Sequence, residues 1–196
     1  NLNAFAALRS DGSVVTWGWP GYGVDFSAVA TKLDGTVDVT QVYSSAGAFA
    51  ALRADGSVVT WGDSRSGGDS SAITTKLDGT LDVTQVFSTA SAFAALRSDG
   101  SVVTWGDPIR GGDSSTVTTK LDGTLNVTQV FSTGAAFAAL RTDGSLVTWG
   151  DQTRGGDSST VPTKLDGTID VTQVFSNYYS FAALRSDGSV VTWGDS

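Results

Sequence analysis

One segment, Phe-Ala-Ala-Leu-Arg-x-Asp-Gly-Ser-(Val/Leu)-Val-Thr-Trp-Gly, recurs five times along the chain. Its Phe falls at Phe5, Phe49, Phe93, Phe137 and Phe181, and its Trp at Trp17, Trp61, Trp105, Trp149 and Trp193. Successive copies are 44 residues apart without a slip (49 − 5 = 44). A fixed period of this size marks a propeller, a solenoid or an open array, in which each unit packs only on its neighbours. The chain therefore reads as one continuous repeat domain. Its units are 1–44, with a divergent loop at 19–31, then 45–88, 89–132 and 133–176, and a partial unit at 177–196.

Within each unit the pattern is that of short strands and tight turns. Val83-Thr84-Gln85-Val86-Phe87-Ser88, Ala92-Phe93-Ala94-Ala95-Leu96-Arg97 and Val102-Val103-Thr104-Trp105 are three such runs. Asp99-Gly100 separates the second from the third, and Asp-Gly between apolar runs is a strong hairpin signal. The middle run is apolar on both faces, which suits small sheets stacked face to face rather than a sheet with one wet side. The stretch Thr116–Leu121 reads as a short fourth strand or an irregular edge segment. No window shows helical periodicity with caps. The expectation is an all-β fold of three- to four-stranded units, propeller-like, with an open β-solenoid or superhelical array as the alternative. All five Trp residues are expected to be buried in register.

Composition narrows the function classes. The acidic residues number 20, all of them Asp, against 12 Lys and Arg, for a net charge of −8. Phosphate recognition needs clustered cations, so no nucleic-acid partner is expected. No apolar run approaches the ~18 residues of a membrane span. Absence of Cys and His removes disulfides, thiolate sites and the usual general base. Absence of Met points to a segment of a longer chain or a processed product.

Taken together, Val-x-Gln-Val, Phe-Ala-Ala-Leu, Asp-Gly-Ser-Val-Val-Thr-Trp-Gly and the Gly-rich loop that follows resemble the regulator-of-chromosome-condensation (RCC1) repeat. The resemblance covers nearly the whole chain. It implies a propeller of four-stranded blades, seven in the family fold. Among relatives of this kind, compact Trp-Gly-Asp tandem repeats of large bacterial or protist surface proteins are the nearer comparison. The family's founding member is a nuclear exchange factor that binds chromatin. Here the family's His before the second strand is replaced by Ala48, Ala92, Ala136 and Ser180, and no basic surface exists.

Candidate sites are few. Catalysis needs one asymmetric constellation, whereas the Ser, Thr, Asp and Lys here recur identically from unit to unit, so no enzyme and no cofactor is expected. Calcium is the one candidate ion, at Asp69, Asp113 and Asp157 of the Gly-Gly-Asp-Ser loops; carboxylates capping their own turns are the simpler reading. Asn126-Val127-Thr128 is a lone sequon at a position that is Asp in the other units. Aromatics break the pattern near both ends, at Trp19, Tyr22 and Phe26 and at Tyr178 and Tyr179. They are candidate interface residues, because Tyr and Trp dominate interfaces. The sequence thus suggests a non-catalytic structural or adhesive segment, extracellular or at the cell surface. Its expected partners are copies of itself or flanking repeats, head to tail, an arrangement that can extend into a filament. The alternative is a protein-binding propeller of the exchange-factor or scaffold type.

Overall fold

The computed structural model describes residues 1–195. They form five small antiparallel sheets in chain order. Sheet 1 is the hairpin β1 (Ala4–Leu8) and β2 (Val14–Gly18). Sheet 2 is β3 (Val39–Ser44), β4 (Ala48–Arg53) and β5 (Val58–Gly62). Sheet 3 is β6 (Val83–Ser88), β7 (Ala92–Arg97) and β8 (Val102–Gly106). Sheet 4 is β9 (Val127–Ser132), β10 (Ala136–Arg141) and β11 (Leu146–Gly150). Sheet 5 is β12 (Val171–Ser176), β13 (Ser180–Arg185) and β14 (Val190–Gly194). Each three-stranded sheet is a meander, so it straddles the boundary between two sequence repeats.

The strands follow from local chemistry. In the hairpin between β4 and β5, Gly56 takes φ 74°, a left-handed conformation that Gly adopts without strain. The Asp55 carboxylate accepts from the Ser57 N–H at 3.1 Å and the Ser57 hydroxyl at 2.6 Å, and Arg53 closes the group at 3.3 Å from Asp55. Each first strand carries a bulge, between Val39 and Gln41 in β3. The residue there is Thr40, whose hydroxyl donates to the Leu52 carbonyl at 3.1 Å; Thr84, Thr128 and Thr172 repeat this on Leu96, Leu140 and Leu184. The Thr thus bonds a carbonyl beside the irregular ladder.

The fourth segment is not a strand. Ser71–Lys76 and Ser115–Lys120 fold as 3-10 turns. Short local bonds hold them, Ile73 N–H to Ser70 O at 3.0 Å and Leu77 N–H to Thr74 O at 3.1 Å. The segment returns to its sheet through Val58 N–H to Leu77 O at 2.9 Å, and buries Leu77. Turn-favouring Asp and Ser at its start outweigh the β-branched residues that follow.

Sheets stack face to face, and every core lies between two of them. Ala48, Ala50, Leu52 and Val58 of sheet 2 meet Val83, Val86, Phe93, Ala95 and Trp105 of sheet 3. Each Phe stacks on the Trp of its own sheet, with centroids 5.2 Å apart for Phe93 and Trp105. The Trp then reaches the preceding unit. Trp61, Trp105, Trp149 and Trp193 donate through Nε1 to the carbonyls of Gly23, Gly67, Gly111 and Gly155, at 2.9, 3.0, 3.1 and 3.1 Å. These four indoles are 5% exposed or less. Trp17 departs from the expectation at 50% exposed, because its cover would come from a unit before sheet 1.

Candidate protein-binding face

The two ends of every sheet differ in chemistry. At one end lie the Asp-Gly hairpins and the Asp-Gly-Thr turns, which tie each sheet to the start of the next. Val83 N–H donates to Gly56 O at 2.9 Å and Ser98 N–H to Asp82 O at 2.9 Å, with equivalents in the other units. This hairpin face is nearly invariant and rich in Asp. Backbone N–H donors hold the Asp78 and Asp122 carboxyls below their usual range, through Thr80 and Thr124 respectively.

At the opposite end lie the turn between first and second strands and the loop after each Trp-Gly. The two are tied within a unit: the hydroxyls of Ser45, Thr89 and Thr133 donate to the carbonyls of Ser66, Arg110 and Arg154 at 2.7, 2.9 and 3.0 Å. This loop face has a constant frame. Asp63, Asp107 and Asp151 each cap the turn through an N–H two residues on. Gly67, Gly111 and Gly155 then take φ of 91°, 97° and 95°. The residues held between Asp and Gly vary: Ser64-Arg65-Ser66, Pro108-Ile109-Arg110 and Gln152-Thr153-Arg154. Ile109 stands 72% exposed, and the Arg65 side chain is almost wholly in solvent.

The aromatics singled out in the sequence divide in two. Trp19 and Tyr22 sit on the loop face of sheet 1, exposed, with Trp19 N–H on Asn3 O at 2.8 Å and Tyr22 O accepting from Asn1 Nδ2 at 2.7 Å. Phe26 is drawn inward, against the core between sheets 1 and 2. Tyr178 and Tyr179, half exposed, form an edge-to-face pair on the loop face of sheet 5. The Arg154 guanidinium lies 5.0 and 5.1 Å from their ring centroids, within cation–π range. No aromatic pair or hydrogen bond joins the two groups among the described residues. Arg65 and Ile109 are not among the candidate interface residues of the sequence, although they stand in the loop after Trp-Gly, which differs from unit to unit.

The Gly-Gly-Asp-Ser candidates make local turn bonds. Asp69, Asp113 and Asp157 accept from the N–H groups of Ser71, Ser115 and Ser159 at 2.8, 2.8 and 2.7 Å, which holds each carboxyl below its usual range. No group of three His, Cys, Asp or Glu residues that could hold a metal ion occurs among the described residues. Gly100 backs directly onto Asn126 in the interlocked turn. An open cleft of about 580 Å³ lies between units 1 and 2 and is lined by Lys32 and Arg53 as well as Asp25, Asp69 and Asp78.

No family model matches the chain. No curated protein matches it either. Solved structures do. Human WBSCR16 aligns with a TM-score of 0.62 at 19% identity, over 98% of this chain and 59% of that one. Prp20p from Saccharomyces cerevisiae, described with its binding to Gsp1p and histones, aligns at 0.59 and 17% identity, over 98% and 55%. The CRINKLY WD40 ectodomain of the Arabidopsis thaliana receptor kinase ACR4 aligns at 0.57 and 18% identity, over 98% and 65%. The chain thus spans between about half and two thirds of the solved proteins it matches. Stacked three-stranded sheets, a Phe–Trp pair in each and this structural likeness together give the chain an RCC1-like propeller fold.

Proposed function

We propose that the chain is a non-catalytic, protein-binding part of an RCC1-like propeller, and that it binds through its loop face. One observation carries this reading: the unit-specific exposed residues Trp19, Tyr22, Arg65, Ile109, Tyr178 and Tyr179 all project from the same end of their sheets. A structural array needs only the repeated contacts, whereas a binding surface needs side chains that differ from unit to unit on a rigid frame. The opposite face is interlocked and nearly uniform. Likeness to Prp20p, which binds Gsp1p and histones, supports a protein as the partner class. The net charge of −8 suits a basic protein among these.

A photo-reactive amino acid placed at Ile109, or at Thr80 on the hairpin face, tests the reading, with Gsp1p and core histones as first probes. Cross-links should form from position 109 and not from 80, and Arg65→Asp and Tyr178→Asp should abolish them. Cross-linking from position 80 alone would overturn it. An extracellular or surface location belongs to the alternative proposal of a structural, adhesive array, and protease accessibility on intact cells distinguishes the two.

A further inference from the structure

The stacking direction gives every sheet two unlike faces. The face toward the preceding unit presents the Phe and Trp; the face toward the following unit presents the Ala-Ala-Leu side and the aromatic of the first strand. Inside the chain these meet at every junction. At the ends they are bare. On sheet 1 the incoming face leaves Phe5 62% exposed and Trp17 half exposed. On sheet 5 the outgoing face leaves Phe175 58% and Val190 63% exposed, where the equivalent Val58, Val102 and Leu146 are buried.

A backbone ladder runs through the same junctions. Leu2 N–H donates to Ala46 O at 3.2 Å, Ala46 to Ala90 at 2.8 Å, Ala90 to Gly134 at 3.0 Å, and Gly134 to Tyr178 at 3.0 Å. Each step is one repeat long and has the same direction. It leaves two groups without a hydrogen bond among the described residues, the Leu2 carbonyl and the Tyr178 N–H.

We infer that the chain associates head to tail with a second copy, the outgoing face of sheet 5 seating on the incoming face of sheet 1. Phe175, Leu184 and Val190 of one copy then cover Phe5 and Trp17 of the next, and the Tyr178 N–H donates to the Leu2 carbonyl. The occupant is a second copy because the two surfaces are the two halves of a contact the chain already makes four times. A heterologous contact of this kind closes into a ring or continues as a filament. The sheet faces differ from the loop face, and Tyr178 is shared only through its backbone N–H here and its ring there, so Phe5→Asp and Val190→Asp leave the loop-face side chains unaltered.

The test uses two single-face variants of the whole chain, Phe5→Asp for the incoming face and Val190→Asp for the outgoing one. Both sites are exposed in the single copy, so circular dichroism should show each variant folded. Sedimentation of the unaltered chain should show mass rising with concentration. Each variant alone should stay monomeric to concentrations at least about tenfold higher, as expected for loss of a central interface side chain. Mixed together, the two variants should form a dimer and nothing larger, because each retains one competent face. A chain that stays monomeric at millimolar concentration, variants that associate as the parent does, or a mixture that stays monomeric would each overturn the inference.

Discussion

Replacing Gly67 by Ala tests the packing that joins one unit to the next. Gly67 has φ of 91°, and a Cβ built on it would lie 2.6 Å from Cδ2 and 2.9 Å from Cε2 of Phe93. Two costs add. The left-handed backbone costs an L residue about 1–2 kcal/mol. Pushing a methyl into the Phe93–Trp105 stack costs about 1–3 kcal/mol more, because packed interiors yield little to added volume. The expected destabilisation is therefore about 2–5 kcal/mol. Gly21 supplies the control. Its φ is 90°, and a Cβ there meets nothing within 4 Å, so Gly21→Ala carries the backbone cost alone. Urea unfolding of the two variants, followed by Trp fluorescence and by circular dichroism, measures the difference. Equal loss in both would refute the reasoning, since Phe93 would then be free to move aside and the close glycine approach would not hold the junction.

Three further outcomes follow from the same contacts. Trp105→Phe leaves the buried Gly67 carbonyl unpaired and should cost about 1–3 kcal/mol or more by urea unfolding, whereas Trp17→Phe, at the uncovered end, should cost far less; equal effects would show that the indole bond contributes nothing. Thermal stability should change little from pH 8 to 5, where the chain has no His and the Asn1 amino group, lowered by burial, titrates, and should fall in acid. The acid limb comes from carboxyls such as Asp99, where burial pushes the group up but bonds from Ser101 and the Arg97 charge outweigh it, and Asp113, lowered by the Ser115 N–H. With folded values depressed, their contribution is complete above the unfolded value of about 3.9 and is lost as pH falls through the folded ones; a midpoint that begins to drop near pH 6 would contradict this. Adding or chelating calcium should leave the melting temperature unchanged, because Asp69, Asp113 and Asp157 already accept from their own turns; a shift of several degrees would restore the calcium reading.

Much of the protein is written locally and can be read from the chain. Asp55-Gly56-Ser57 makes its hairpin with contacts two residues apart, and apolar residues on both faces of Ala48–Arg53 announce a strand packed on two sides. The period fixes that whatever one unit does, the next repeats. Three things were settled only by the tertiary structure. Ser71–Lys76 is β-branched enough to pass for a strand, but its Asx-capped start and the docking of Leu77 on Val58 turn it into a 3-10 segment. Trp17 and Trp105 are the same residue in the same motif, yet one is half exposed and the other buried, because the glycine carbonyl that receives each indole lies 38 residues upstream in another unit. Phe26, an end aromatic in the sequence, turns inward to a core, while Arg65 and Ile109, unremarkable in sequence, come to share one face with Tyr178 and Tyr179. A one-dimensional repeat specifies its own strands and turns through neighbours in the chain. Which side chains are covered, and which loops stand together, depends on stacking contacts a whole unit apart.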